Sequence, residues 1–313
     1  GQNCGLPSPA DPSPMPRIFT LLCHWPLGLL HLLGGAMGWL AYLASPSYRR
    51  RLATHSAAAG LGRGQRWAAV GHAGKLVGEL PYLWGRPQAE PLGTSYRWSH
   101  REALAQAVSE GKGVLLLTPH LGCFEVVAQA YAEDFGATKP ITALYRPAKQ
   151  AWLADTMRIS RLRPGLLTGP ATLAGVRQML RALKKGDTVG ILPDQVPPEG
   201  MGVWAPFFGR PAYTMTMAAK LVAQTGCAVV LMRGERLGTR QRLAQGCSYV
   251  VHAQRATPEQ EATLAGDDPI AAATLVNQLM EQTIMQSPEQ YLWGYNRYKG
   301  PRAEILTSAG GQA

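Results

Sequence analysis

The sequence predicts an α/β fold, a mixed sheet flanked by helices, behind one long apolar N-terminal helix. After residue 100, short apolar runs alternate with helical patterns, as the strand–helix repeats of an α/β domain do. From Ile18 to Tyr48 there is no Lys, Arg, Asp or Glu. With 313 residues, 46% of them hydrophobic and 16% charged, the chain can close a sizeable core but does not fit a highly charged soluble scaffold.

Residues 1–16 are rich in Pro, Gly and Ser without apolar periodicity, which reads as a disordered leader. Within the charge-free stretch, Leu27 to Ala44 follows a proline suited to the first helical turn, and Ser45-Pro46 stops it. Eighteen residues at about 1.5 Å each reach roughly the thickness of a bilayer's hydrocarbon, so residues 17–48 are expected to anchor the chain, either spanning or half-inserted. Arg49, Arg50 and Arg51 follow at once, against Arg17 alone before the segment, which places the remainder on the cytoplasmic side. The bland alternative is a glycine-rich core helix.

Further on, Val114–Thr118 reads as a buried strand, Glu125–Glu133 as a helix, Ile141–Tyr145 as a strand, and Gln150–Ser160 and Thr172–Lys185 as helices. Thr188–Leu192 is the next strand, followed by a long Pro/Gly loop over Pro193–Pro211. Thr214–Thr225 reads as a helix, Ala228–Arg233 as a strand, Ser248–Ala253 as an antiparallel strand, and Asp268 to Gln286 as a closing helix. One domain is expected over 49–305, with a flexible tail at 306–313.

Basic residues outnumber acidic ones by 31 to 20, a net charge of +11, which calls for an anionic partner: nucleic acid, a phospholipid surface or an acidic protein. The five cysteines are irregularly spaced with no C-x-x-C, so neither a disulfide framework nor a zinc site is legible. A reducing compartment is the simpler reading.

His120, Arg146 and Asp194 each lie just past an expected strand, and ligands of open α/β sheets gather at that rim. The segment from Thr118 to Glu125 has the spacing H-x-x-x-x-E. On one continuous helix these two side chains would sit about 140° apart, so His120 must precede the first turn, where Glu125 can reach back to the ring. One ring nitrogen then becomes a donor and the other is free as a base, which is what activation of a hydroxyl needs. The competing reading is a histidine capping the helix with a solvated glutamate, and Cys123 offers itself as a rival nucleophile. Arg146 and Arg158, with Arg161 and Arg163, form either an anion cradle or solvated edge charges. Asp194 and Gln195 follow the next strand and lead into the aromatic run GMGVWAPFFGRPAYT, which suits an acyl chain or a lipid surface as well as a folded-back core loop.

In order, the chain shows PLGLLHLLGGAMGWLAYL followed by basic residues, then HLGCFE, LYRP, ILPDQVPPEGMGVWAPFFGRPAYT and YLWGYNRYK. Together these blocks resemble the late (lauroyl/myristoyl) acyltransferases of lipid A biosynthesis, within the lysophospholipid acyltransferase superfamily. The resemblance covers most of residues 18–299 and implies a glycerolipid acyltransferase-like fold and an enzyme of the bacterial inner membrane with its catalytic domain on the cytoplasmic face. It further implies transfer of a fatty acyl chain from acyl carrier protein to a hydroxyl of a lipid A precursor, an anionic lipid, without a metal or other cofactor and without nucleic acid. His120 would be the base and Glu125 its partner, with Arg146, Arg158, Asp194 and Gln195 meeting substrate. The tail departs from the family's W-x-H-R-R-F-K, with Tyr295 and Asn296 standing in for His and Arg. Rival readings are acyl transfer to another lipid (a lysophospholipid, glycolipid or ornithine lipid), a thioesterase or lipase, and a basic binding module without catalysis.

Overall fold

In the computed structural model of the chain, residues 16–145 and 151–302 are described. The expected leader, apart from Pro16, the expected tail and Arg146 lie outside them. The strands, in chain order, are β1 (Tyr96–Ser99), β2 (Val114–Leu117), β3 (Ile141–Tyr145), β4 (Leu166–Pro170), β5 (Thr188–Ile191), β6 (Gly202–Phe207), β7 (Arg210–Met215), β8 (Ala228–Arg236) and β9 (Tyr249–Arg255). Seven of them form one sheet in the order β1-β9-β8-β2-β5-β3-β4, while β6 and β7 pair with each other. Every pairing in the large sheet is parallel except β8 with β9, so the sheet is mixed, as expected.

The helices before the sheet are α1 (Arg17–Leu22), α2 (Leu27–Ala44), α3 (Pro46–Ala58) and α4 (Arg63–Trp84). Those connecting and covering it are α5 (Arg101–Ser109), α6 (Phe124–Asp134), α7 (Ala151–Ser160), α8 (Leu173–Lys184), α9 (Met217–Thr225), α10 (Thr239–Gln245), α11 (Pro258–Ala265) and α12 (Pro269–Ile284). β2 explains the layering. All four of its residues are buried, the pattern of a parallel strand covered on both faces. Leu115 and Leu117 belong to the core shared with Met179 and Leu183 of α8, Leu221 of α9 and Met280 of α12. Val114 and Leu116 turn to the other core, with Leu104 of α5, Val126 and Tyr131 of α6 and Leu83 of α4.

The N-terminal apolar helix is present as α2, but it is laid along the domain rather than standing away from it. Its glycines press on those of α4: a Cβ at Gly34 would lie 2.6 Å from the Gly74 carbonyl oxygen, and one at Gly38 2.4 Å from that of Val70. Trp39 stacks on Trp67 near one end of the contact, and Leu30 backs Gly78 near the other. Only the opposite face, carrying Leu29, Leu32, Leu33, Met37, Leu40 and Leu43, is exposed. Gly74 is the tightest point, with a Cβ there only 2.0 Å from the Gly34 carbonyl oxygen. Gly74→Ala is therefore expected to cost about 1–3 kcal/mol through overpacking, read as a lowered thermal midpoint, whereas Gly64→Ala, with nothing near its Cβ position, should be neutral or stabilising.

The structure departs from the expected loop at Pro193–Pro211. Its second half is the β6–β7 hairpin, whose two-residue turn uses positive φ at Phe208 (46°) and Gly209 (71°). Pro206 and Pro211 face each other one step behind the Phe207–Arg210 pair that closes this turn. At that step an antiparallel ladder asks for no N–H, so two prolines that argue against a strand are harmless. The helix expected from Thr214 accordingly begins at Met217.

Candidate active site

β2 and β5 lie side by side in parallel, with Leu117 and Ile191 as register partners, and His120 and Asp194 each follow by three residues. Both side chains therefore reach the carboxyl-end rim at the same height. The Asp194 carboxylate accepts the His120 ring Nδ1–H at 2.7 Å and the His120 backbone N–H at 2.9 Å. Burial pushes the Asp194 carboxyl up, but the His120 ring and these two donated hydrogen bonds outweigh it and hold the carboxyl below its ordinary value. An ionised carboxylate on Nδ1 fixes the proton there and leaves Nε2 with its lone pair. Gln195 stands at that lone pair, its amide nitrogen 3.0 Å from Nε2, and Phe124 meets the ring edge-on with centroids 4.9 Å apart.

The ring's partner is thus Asp194 rather than the expected Glu125, and the reason lies in the intervening loop. Leu121 bridges to Tyr291 and Gly122 to Gly234; the Gly122 N–H donates to the Gln290 carbonyl at 3.0 Å and the Cys123 N–H to that of Gly234 at 2.8 Å. Gly122 has a φ of 58°, and a Cβ there would sit 2.0 Å from the Gly234 carbonyl oxygen. Strapped in this way, the chain turns away from a simple helix cap before α6 begins. Glu125, in the first turn of α6, accepts from Arg161 Nη2 at 3.0 Å and from the Trp84 indole N–H at 3.3 Å.

A buried ion cluster lies behind the loop. Glu79 of α4 accepts from Arg236 Nε (2.9 Å) and Nη2, from Tyr249 (3.1 Å) and from His31 of α2 (3.0 Å). Arg236 Nη2 also donates to the Gly122 carbonyl at 3.0 Å, so the guanidinium ties the strand end to the loop that carries His120. Burial pushes the Glu79 carboxyl up, but the Arg236 charge and its two-pronged hydrogen bonding overcome this and bring it down to about 2.

The structure separates the remaining candidates. Cys123 caps α6 fully buried, and desolvation raises its thiol well above the ordinary value, which removes the nucleophile reading. Arg163 does not join an anion cradle: it is buried and donates to the carbonyls of Leu83, Arg86, Pro87, Gln88 and Glu90. Arg158 lies within α7. Tyr295, at the position where the tail departs from the expected pattern, accepts the Val196 N–H at 3.1 Å and so supports the Asp194–Gln195 turn. Among the described residues no group of three His, Cys, Asp or Glu side chains gathers to hold a metal ion.

Residues 67–300 match the bacterial lipid A biosynthesis acyltransferases. The chain belongs to that family. It is 29% identical over 199 residues to the lipid A biosynthesis palmitoleoyltransferase of Escherichia coli (strain K12), covering 63% of this chain and 59% of the relative. The lauroyltransferase of the same organism is 26% identical over 207 residues, covering 65% and 62%, and a lipid A biosynthesis acyltransferase of Haemophilus influenzae is 26% identical over 192 residues, covering 61% and 55%. These alignments span about three fifths of each relative's own length. The family region contains the whole rim described above and begins within α4, so the exposed apolar stripe of α2 lies ahead of it.

Proposed function

We propose that the protein transfers a fatty acyl chain from the thioester of acyl carrier protein to a hydroxyl of a lipid A precursor, at the cytoplasmic face of the bacterial inner membrane. The observation that carries this reading is the His120–Asp194 pair at the rim of the sheet, where the carboxylate engages Nδ1 at 2.7 Å and so leaves Nε2 for the acceptor hydroxyl. The acceptor hydroxyl takes the place of the Gln195 amide at Nε2 and gives up its proton there as its oxygen attacks the thioester carbonyl. The tetrahedral oxyanion then collapses, the carbon–sulfur bond breaks, and the thiolate leaves with the proton that the imidazolium returns. A thioester is already activated, so this sequence asks for proton transfer and oxyanion stabilisation, with no redox step.

Glu125 holds Arg161 beside the start of α6, where the guanidinium can meet a substrate phosphate or the developing oxyanion. Arg146 and Arg158 are proposed to add to the anion site from the β3–α7 segment. Glu125→Ala and Arg161→Ala should each lower turnover, and the double variant should be little worse than the worse single one, because the two act as a pair. Steady-state kinetics of the three proteins check this.

The α2 stripe and the arginines that follow it fit half-insertion into the leaflet. Spanning would require α4, which packs along α2 and whose Glu79 is tied to Arg236 of β8, to cross as well. The test of the reaction is mass spectrometry of lipids from cells with and without the protein, together with purified protein, acyl-carrier-protein thioester and lipid A precursor. One added acyl mass on the lipid A precursor is expected. Acyl addition to a different lipid would move the acceptor, and release of free fatty acid without an acylated product would make the enzyme a hydrolase.

A further inference from the structure

We infer that the short α10 knob between β8 and β9 is a second membrane contact, placing Leu243 in an anionic leaflet beside α2. This rests on the half-inserted reading of α2 and extends it to an element far away in sequence. Leu243 is 81% exposed, the most exposed large apolar side chain among the described residues. Its exposure is not slack in the chain. α10 is closed at both ends, by the Gln241 side chain accepting the Gly238 N–H at 3.0 Å and by Gly246 at a φ of 65°, and it stands on a small core of Leu237, Cys247 and Val250. One exposed leucine is ordinary on a surface; one held in place beside the exposed apolar stripe of α2 enlarges that patch.

Position and charge name the occupant. Arg242, next to Leu243, is half-buried against the start of α2, with Nη1 3.7 Å from where a Cβ on Gly28 would be. The knob therefore adjoins the end of α2 where Trp25 and Leu29 are exposed. Arg240 is exposed on the same short helix, and Arg97 is exposed where it donates to Gln245 at its end. At the far end of α2, Arg49 donates to the carbonyls of Tyr42 and Leu43, followed by Arg50 and Arg51. Between Asp11 and Glu79 the sequence has seven Lys or Arg and no Asp or Glu. Glu235, the acidic residue nearest α10 in sequence, is taken by Arg233 and His252. An apolar stripe with tryptophan near each end, arginines beyond both ends and a leucine knob at one of them matches the layering of an anionic leaflet, apolar below and phosphate above. β8 runs to Arg236 at the carboxyl-end rim, so a seated knob also brings the rim bearing His120 toward the lipid surface.

The test uses the full chain with vesicles of phosphatidylcholine alone and of phosphatidylcholine with one third phosphatidylglycerol, read by co-flotation. Leu243→Asp is expected to weaken binding to both vesicle types by about tenfold or more. Arg240→Gln should weaken binding by about fivefold on the anionic vesicles and leave the neutral ones unchanged. Both positions are solvent-exposed, so circular dichroism and thermal midpoints should stay as in the unsubstituted protein. A double Leu32→Asp, Leu40→Asp variant on the α2 stripe tests the underlying reading. If that variant loses binding while Leu243→Asp and Arg240→Gln bind like the unsubstituted protein, α10 faces a protein or open water and the inference is overturned, with half-insertion intact. If the unsubstituted protein floats with neither vesicle, both readings fall together.

Discussion

Replacing His120 by alanine is expected to lower acyl transfer by about 10²–10⁴-fold in a protein that still folds, the range that loss of a positioned general base produces. The ring is only partly buried, so its removal leaves no large cavity, and the fold should keep its thermal midpoint to within a few degrees. Asp194→Ala should approach the same loss for a different reason. Asp194 accepts both the ring Nδ1–H and the His120 backbone N–H, so without it the imidazole loses its fixed tautomer and the loop one of its ties. Because the two residues act as one unit, the double variant should be little worse than the worse single variant. Asp194→Asn is the more telling substitution, since it keeps the shape while removing the charge that holds the proton on Nδ1. Turnover with saturating acyl-carrier-protein thioester decides the matter, and full activity in a folded His120→Ala protein would overturn the mechanism.

The α/β class and the central strands were legible because their signals are local, whereas the edge strands β1 and β4 and the helices α3, α4 and α5 were not read. Val114–Leu117 is apolar throughout since both faces of β2 are covered, and the alternation of such runs with helical patterns predicts the sheet without reference to distant residues. The β6–β7 hairpin was hidden by Pro206 and Pro211, whose harmlessness depends on a register that only pairing reveals. The site was half legible. That His120 and Asp194 share a rim follows from each lying just past a strand, but the choice of Asp194 over Glu125 as the ring's partner needs the β2–β5 pairing. The equal offset of three residues from Leu117 and from Ile191 is the signal that could have found it. Nothing local marks Glu79 and Arg236 as partners, since 157 residues separate them.

Breaking that pair should cost more stability than the Gly74 substitution. Glu79→Ala would leave the Arg236 guanidinium buried without its carboxylate and strip partners from His31 and Tyr249, at a cost of about 3–5 kcal/mol. Arg236→Met should cost a similar amount by stranding the carboxylate. The double variant Glu79→Met, Arg236→Met should recover part of the loss, because no lone charge then remains in the interior; denaturant unfolding of the unsubstituted protein, Glu79→Met, Arg236→Met and the double variant gives the coupling. The pair also sets a pH window. The Glu79 carboxyl titrates at about 2 in the folded chain against an ordinary 4.5, so between those values the unfolded state binds more protons than the folded one. The stabilisation is accordingly complete above about pH 4.5 and is lost as the pH falls toward 2, and Glu79→Gln should flatten the acid side of the stability profile. Arg236 reaches past its carboxylate to the Gly122 carbonyl, so any folded Arg236 variant should also lose turnover with little change in KM. A normal turnover number in Arg236→Met, with only its stability lowered, would show that the loop holds His120 in place without the guanidinium.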